Sequence, residues 1–408
     1  MKTHSGPIRP ISALLAGTGG YGAFYLQELF RIQEKGALRI VAAVDPHPEE
    51  CPHISVLHKN RIPVFSGLHE FYQDKSCDLA VLVSPIHFHG RQTMLALERG
   101  SHVLCDKPLC STVQEGLSVI RTRDDFKKKV WVGYQWCYSK AVQDLKRDIL
   151  SGLWGAPVRL KTLCLWPRSR SYYKRNSWAG RIKTRNSWVL DSPAHNAMAH
   201  FLHHMLYLTG DRMDSSAYPA SVSGEVYRVY PIQNYDTAAF RLELENGAEC
   251  LFLASHASEK SRGPVFHFEF EQGFIDYRNP EEGIVARDKK GDTRRYGSPD
   301  ADNPFKKLYC ALKGIHSGGK VLCGPEAALP EVVCINGVQE AHPEIPEFPE
   351  SRIRKDPEGE FTFVPGLDKI LSRCYREWAL PWEMDVSWSR HPETFKFENY
   401  RFFPQNSP

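Results

Sequence analysis

Between the apolar run Ile11 to Ala16 and the amphipathic stretch Tyr21 to Arg31 stands Gly17-Thr18-Gly19-Gly20-Tyr21-Gly22, a Gly-x-Gly-x-x-Gly series. In the order strand, glycine turn, helix, the first glycine permits a tight turn and the second lets a pyrophosphate approach the backbone. The third lets helix and strand pack closely, and the helix N-terminus faces the phosphates. Asp45 closes the next apolar run, 23 positions after Gly22, where a carboxylate accepts hydrogen bonds from an adenosine ribose. That carboxylate would repel a 2′-phosphate, and no arginine directly follows it, so NAD(H) is favoured over NADP(H). The alternative, a glycine turn beside an unrelated acidic strand cap, requires this context to be coincidence.

From Ile11 to about Gln135 short apolar runs alternate with longer amphipathic ones. The pattern predicts strands at Ser12 to Ala16, Ile40 to Val44, Leu79 to Ser84, His102 to Cys105 and Val130 to Gly133. Helices are predicted over Tyr21 to Arg31, Gly90 to Arg99 and Ser111 to Phe126, a doubly wound α/β unit. Lys140 to Leu150 reads as a further helix. Beyond Val158 the texture changes to period-two alternation, clearest at Thr237 to Leu244, Ala248 to Ala254 and Val265 to Phe270, which implies a second domain with an antiparallel or mixed sheet. Its strong helix is predicted from Pro193 to Leu208, with Ser192 as N-cap and a stop at Thr209-Gly210. Two more helices are expected near Pro304 to Ile315 and Pro325 to Ala341. The division is 1–135, 136–341 and a proline- and aromatic-rich extension, 342–408, with one helix over Leu367 to Trp378.

Two segments sharpen this reading: Ser84-Pro85-Ile86-His87-Phe88-His89 and Cys105-Asp106-Lys107-Pro108. With the glycine series they resemble the Gfo/Idh/MocA oxidoreductases, whose usual forms are Thr-Pro-x-x-x-His and Glu-Lys-Pro. The resemblance covers most of residues 11 to 341. It implies an α/β N-terminal Rossmann domain, an α+β C-terminal domain with an open, mainly antiparallel sheet, and nicotinamide in the cleft between them. It places Lys107 in the active site, and Asp191 and His195 of Asp191-Ser192-Pro193-Ala194-His195 complete the catalytic group by position. Thr18, Gly20, Tyr21, Ser84, Pro85, His87, His89 and Asp106 are expected on the cofactor side with Gly17, Gly19, Gly22, Asp45 and Lys107, although His87 can equally be merely exposed. A sheet face left open commonly buries another subunit in relatives, so a homo-oligomer, dimer or tetramer, is expected.

Oxidising a secondary alcohol requires its hydroxyl proton to leave as the hydride does, and histidine is a natural acceptor. A carboxylate can orient that imidazole, and a lysine can hold the substrate oxygen. The expected activity is NAD-dependent oxidation or reduction at a secondary hydroxyl or ketone of a sugar, sugar acid or cyclitol. Transient oxidation followed by elimination would make the same group cleave glycosides without net redox, and a non-catalytic dinucleotide sensor is the third possibility.

His200, His203 and His204 follow on the predicted helix. The pair His200 and His204 points away from His195, with no sequence-adjacent cysteine or carboxylate to complete a ligand set, so no metal is expected. Pro167 to Leu190 carries Arg168, Arg170, Lys174, Arg175, Arg181, Lys183 and Arg185 without an acid, interleaved with Tyr172, Tyr173, Trp178 and Trp188. Running directly into Asp191, it reads as a substrate-side wall and anion clamp, against a solvated or subunit-contacting loop or a nucleotide-stacking surface. Trp178 and Arg181, with Gln135 and Trp136 at the domain handover, are the expected substrate contacts. His256, at a strand end, faces either the cleft or only its neighbours. A net charge of +4 over 408 residues argues against nucleic acid as a partner. The longest apolar runs are too short for a membrane span, and eleven cysteines without a regular spacing suggest a reducing, cytoplasmic setting.

Overall fold

The structure is a computed structural model that describes residues 9–405. The first eight and last three residues of the predicted divisions therefore lie outside the described residues. In the first unit β1 (Ile11–Ala16), α1 (Tyr21–Glu34), β2 (Leu38–Val44), α2 (Ile54–Lys59), β3 (Val64–Phe65), α3 (Leu68–Asp74), β4 (Leu79–Leu82), α4 (Ile86–Glu98), β5 (His102–Cys105), α5 (Val113–Asp125) and β6 (Val130–Val132) follow in turn. The strands pair in parallel in the order β3-β2-β1-β4-β5-β6. Strands covered by helices on both faces need unbroken apolar sequence, and every residue of β4 is buried. The order reverses between β1 and β4, which opens a crevice at their C-terminal ends beside the glycine loop. The predicted strands and helices match apart from their ends. The two-residue β3 is too short to show a period, and α4 begins at Ile86 because Pro85 occupies its N-cap.

The glycine turn is sterically obligatory at two positions. Gly17 holds φ +86°, and a Cβ on Gly22 would stand 2.1 Å from the Gly17 carbonyl oxygen. Gly22→Ala is expected to destabilise the chain by about 3 kcal/mol or more, read as a lower midpoint in urea denaturation.

The second unit comprises α6 (Lys140–Leu150), β7 (Pro157–Leu165), α7 (Arg170–Lys174), α8 (Ala199–Leu208), β8 (Pro219–Tyr227), β9 (Thr237–Leu244), β10 (Glu249–Ser255), β11 (Arg262–Phe270), β12 (Gly273–Tyr277), β13 (Ile284–Asp288), β14 (Thr293–Gly297), α9 (Lys306–Ser317), α10 (Pro325–Ala341), β15 (Arg354–Lys355), β16 (Thr362–Phe363), α11 (Leu367–Glu377) and β17 (Glu393–Lys396). Its sheet runs β14-β13-β12-β11-β7-β10-β9-β8-β17, antiparallel except where β7 meets β10. Alternation sorts the side chains. Phe240, Cys250 and Phe252 join the main core with α8 and α10, whereas Leu163, Leu165, Leu251 and Leu253 point to the opposite face.

That opposite face is not open. Leu367, Leu371 and Cys374 of α11, with Phe348, Leu380 and Trp388, bury it in a second apolar cluster, and β17 pairs with β8 at the sheet edge. The described part of the extension, residues 342–405, thus packs on the second unit. Over β7 to β10 the sheet face on which the homo-oligomer was expected to form is covered within the chain itself.

The predicted helix from Pro193 is corrected: residues 192–198 form turns, and α8 begins at Ala199 after Met198. The Asn196 carbonyl accepts from Lys107 Nζ at 2.7 Å as well as from Ala199 N, three residues on, at 3.3 Å. Ser192 Oγ accepts from His195 N at 3.2 Å, a local bond that competes with helix.

Candidate active site

The glycine loop is shaped for a dinucleotide. A Cβ on Gly19 or Gly20 would meet nothing within 4 Å, so the backbone there faces open space beside the N-terminus of α1. Asp45 stands half-exposed at the end of β2, held by Thr18 N and Thr18 Oγ1, both at 2.8 Å, and by His47 N at 3.0 Å. Thr18 is fully buried and holds Asp45 in place. Tyr21 is exposed and stacks on Phe305.

The residues after β4 and β5 divide by role. Lys107 Nζ donates to the Asn196 carbonyl at 2.7 Å and to Asn196 Oδ1 at 3.1 Å. Burial lowers its affinity for a proton, while Asp106, Asp191 and Glu331 partly restore it. Asp106 is not free for a cofactor: its carboxylate pairs with Lys307 Nζ at 2.8 Å and accepts from Tyr25 Oη at 3.0 Å. Lys307 and Lys107 hold that carboxyl below its ordinary range despite burial. His89 is likewise corrected. Both ring nitrogens lie 2.7 Å from carbonyl oxygens, Nδ1 from Pro108 and Nε2 from Ser84, so the ring ties the two loops together. Ser84 Oγ donates to Gln92 Oε1 at 2.5 Å, and Pro85 caps α4. His87 is half-buried against Phe88, and burial with nearby Arg91 lowers it to about 4.

The Lys307–Asp106 pair joins the two units in a nearly dry contact, with side-chain exposures of 1% and 10%. Removing one partner strands the other charge in the interior. Lys307→Ala is expected to cost about 3–5 kcal/mol, measured by chemical denaturation.

Asp191 and His195 come to the same region without touching as a pair. Leu190, at φ +54°, turns the chain so that Asp191 is buried. Its Oδ2 accepts from Gly180 N at 2.6 Å and its Oδ1 from Asn196 Nδ2 at 2.7 Å. Asn196 therefore bridges Asp191 to Lys107. Burial raises the Asp191 carboxyl, opposed by Arg175, the Gly180 N–H and Asn196. The His195 ring, wholly buried, sets Nδ1 3.2 Å from Glu331 Oε1, and Tyr134 Oη donates to Glu331 Oε2 at 3.0 Å. His195 Nε2 is buried without a partner. The orienting carboxylate is thus Glu331 of α10, not Asp191. Its sequence signal was an acid inside the apolar run Ala327 to Ile335, since a buried charge needs a partner.

Of the expected substrate contacts, Trp178 is half-buried near Arg175, Arg181 is exposed, and Gln135 is half-buried at the handover. Trp136 is corrected to a core residue: it packs on Phe201, His204 and Tyr277, and its Nε1 donates to Asp300 at 2.7 Å. His203 does have cysteine neighbours. Cys137, His203 and Cys323 bring ligand-type atoms within 4.8 Å of one another, a grouping that spacing along the chain could not reveal.

The family model for the Gfo/Idh/MocA oxidoreductases, NAD-binding Rossmann fold, matches residues 11–134. Among curated relatives, 2,7-anhydro-N-acetylneuraminate hydratase of Mediterraneibacter gnavus is 25% identical over 36% of this chain and 38% of its own length. Inositol 2-dehydrogenase of Rubrobacter xylanophilus is 28% identical over 38% of this chain and 43% of its own. The matches thus span less than half the length of these two relatives. Levoglucosan dehydrogenase in complex with NADH superposes with TM-score 0.66 at 17% identity, covering 80% of this chain and 95% of that one. The WlbA dehydrogenase from Bordetella pertussis, in complex with NADH and UDP-GlcNAcA, gives 0.65 at 18%, with the same coverages. Residues 11–134 thus match that family's Rossmann model, and the two-unit fold is the one these solved structures share. None of the described helices is long and apolar enough to cross a membrane.

Proposed function

We propose that the protein is an NAD-dependent oxidoreductase acting on a secondary hydroxyl or ketone of a sugar, sugar acid or cyclitol. The observation that carries this reading is the convergence of Lys107 and His195, with an unpartnered imidazole nitrogen, beside a glycine loop open to a dinucleotide. NAD, when bound, would accept or supply the hydride. Gly17, Gly19, Gly20 and Gly22 would admit the pyrophosphate, and Asp45 would receive the ribose hydroxyls. Lys107 would hold the substrate oxygen and favour its alkoxide. His195 Nε2 would take the hydroxyl proton, with Glu331 fixing the ring through Nδ1. Asp191, through Asn196, would keep the Lys107 amine in place. The relatives' inositol and sugar substrates support the substrate class, and eleven unpaired cysteines suit a reducing cytoplasm.

The test is incubation with NAD and a panel of sugars, cyclitols, sugar acids and glycosides, following reduced-nicotinamide absorbance and product mass. Steady NADH formation with a ketone product is the expected result. Aglycone release with only substoichiometric NADH would replace it with redox-assisted glycoside cleavage, and silence across the panel beside NAD binding would favour a sensor.

A further inference from the structure

At the C-terminal ends of β7 and β10 lies a cavity of about 790 Å³, lined by Trp166, Arg168, His256 and Ser258 and, from the extension, Asp356 and Thr362. Three polar atoms are buried there without partners: Arg168 Nε, His256 Nε2 and Ser258 Oγ. His256 and Ser258 are 2% and 1% exposed. Buried polar groups are nearly always hydrogen-bonded, and three unpartnered ones on residues that line a single cavity point to a ligand that satisfies them.

Their chemistry is that of donors. Burial, with Arg168 and Arg175 nearby, keeps the His256 ring neutral. The Tyr173 hydroxyl lies 2.8 Å from Nδ1, and with the phenol donating, the ring proton sits on Nε2. A guanidinium N–H, an imidazole N–H and a hydroxyl then converge. No carboxylate lies within 4 Å of the Arg168 or Arg175 guanidinium among the described residues, and both cations flank the Tyr172 ring, 5.1 and 3.7 Å from its centroid. Neither acid of the cavity pairs with them: Asp356 Oδ1 accepts from Phe361 N at 2.8 Å, and Glu259 is exposed.

The cavity is also built rather than incidental. Tyr230 Oη donates to the Arg168 carbonyl and accepts from Thr362 N at 2.9 Å. Arg170 N donates to the Glu360 carbonyl at 2.6 Å, and Val364 N to the Ala257 carbonyl at 3.0 Å. Residues 360–364 thus cross the cavity as a strap pinned to both walls. Arg175 lies near enough to Asp191 to lower its carboxyl, which links the cavity to the Asp191–Asn196–Lys107 chain through one aromatic ring.

We propose that this cavity is a subsite for a carboxylate carried by the substrate, recognised by Arg168, His256 and Ser258 and enclosed by the chain's own C-terminal strap. The substrate class becomes acidic sugars, and the inference rests on the oxidoreductase reading above. A carboxylate accepts from guanidinium, imidazole and hydroxyl at once, which a neutral hydroxymethyl group cannot do.

The test is calorimetric titration of the full chain, with NAD present, against a set of hexuronates and hexonates and their neutral parent sugars. At least one acid is expected to bind about tenfold or more tightly than its parent. Arg168→Gln and Ser258→Ala are each expected to remove most of that preference while leaving NAD affinity unchanged. Ser258→Ala deletes a hydroxyl that bonds to nothing, so the fold tolerates it. No preference for any acid, or a preference that survives both substitutions, overturns the subsite. Binding is read without turnover: acids that bind selectively but yield no NADH would count against the oxidoreductase reading and leave the subsite standing.

Discussion

Lys107→Ala is expected to lower turnover by about two to three orders of magnitude while leaving NAD affinity nearly unchanged. The amine bonds to neutral groups, the Asn196 carbonyl and amide oxygen, rather than to a carboxylate. It can therefore turn to a substrate oxygen without abandoning an ion pair. Lys307, by contrast, is committed to Asp106. Because Lys107 also helps to hold the turn at residues 192–198, the variant needs a control. Asn196→Ala removes the bond to Oδ1 and the bridge to Asp191 but keeps the amine and its bond to the residue-196 carbonyl. If both variants lose activity equally, Lys107 acts through the amide bridge; a far larger loss in Lys107→Ala with an unchanged thermal midpoint assigns the effect to the amine. Steady-state kinetics beside NAD titration separates these outcomes, and a Lys107→Ala variant with unchanged turnover would sink the proposed mechanism.

Legibility in the sequence followed the range of the interactions concerned. The glycine turn, the parallel strands and α10 are local: their signals lie within a dozen residues, and β9, α6 and α10 coincide with their predicted bounds. Lys107, Asp191 and His195 were visible through resemblance, and the structure brings them to one region. What stayed hidden is long-range pairing. Asp106 looked like a cofactor contact until Lys307, 201 positions away, claimed it. His195 seemed to belong with Asp191 four residues back, whereas its carboxylate arrives from Glu331, 136 positions on. The extension gave no placement by pattern because α11 is amphipathic toward a sheet face formed 100 to 200 residues earlier. The substrate-side reading of the basic stretch gains Arg168, half-buried, and Arg175, exposed but stacked on Tyr172, while the other exposed members, Arg170, Lys174, Arg181, Lys183 and Arg185, behave as solvated loop.

Glu331→Gln tests the pairing that sequence did not show. The carboxylate is wholly buried, 3.2 Å from His195 Nδ1, and receives the Tyr134 hydroxyl at 3.0 Å. As a carboxylate it accepts only, so it holds the Nδ1 proton toward itself and leaves Nε2 as the acceptor needed for the substrate hydroxyl. Glutamine can present its amide N–H to Nδ1 instead, which moves the proton to Nε2 and inverts the ring's role. A related exchange of an orienting carboxylate for its amide in serine proteases costs about 10⁴ in turnover, which bounds the expectation from above. Here the loss is expected at about 10² to 10³, with KM little changed because Glu331 does not touch substrate. Shape and volume are conserved, so the thermal midpoint should move far less than with Glu331→Ala. Lost activity with collapsed stability would reduce Glu331 to a packing residue. A large kcat loss with intact folding and an unchanged KM would establish the His195–Glu331 pair as the base of the site.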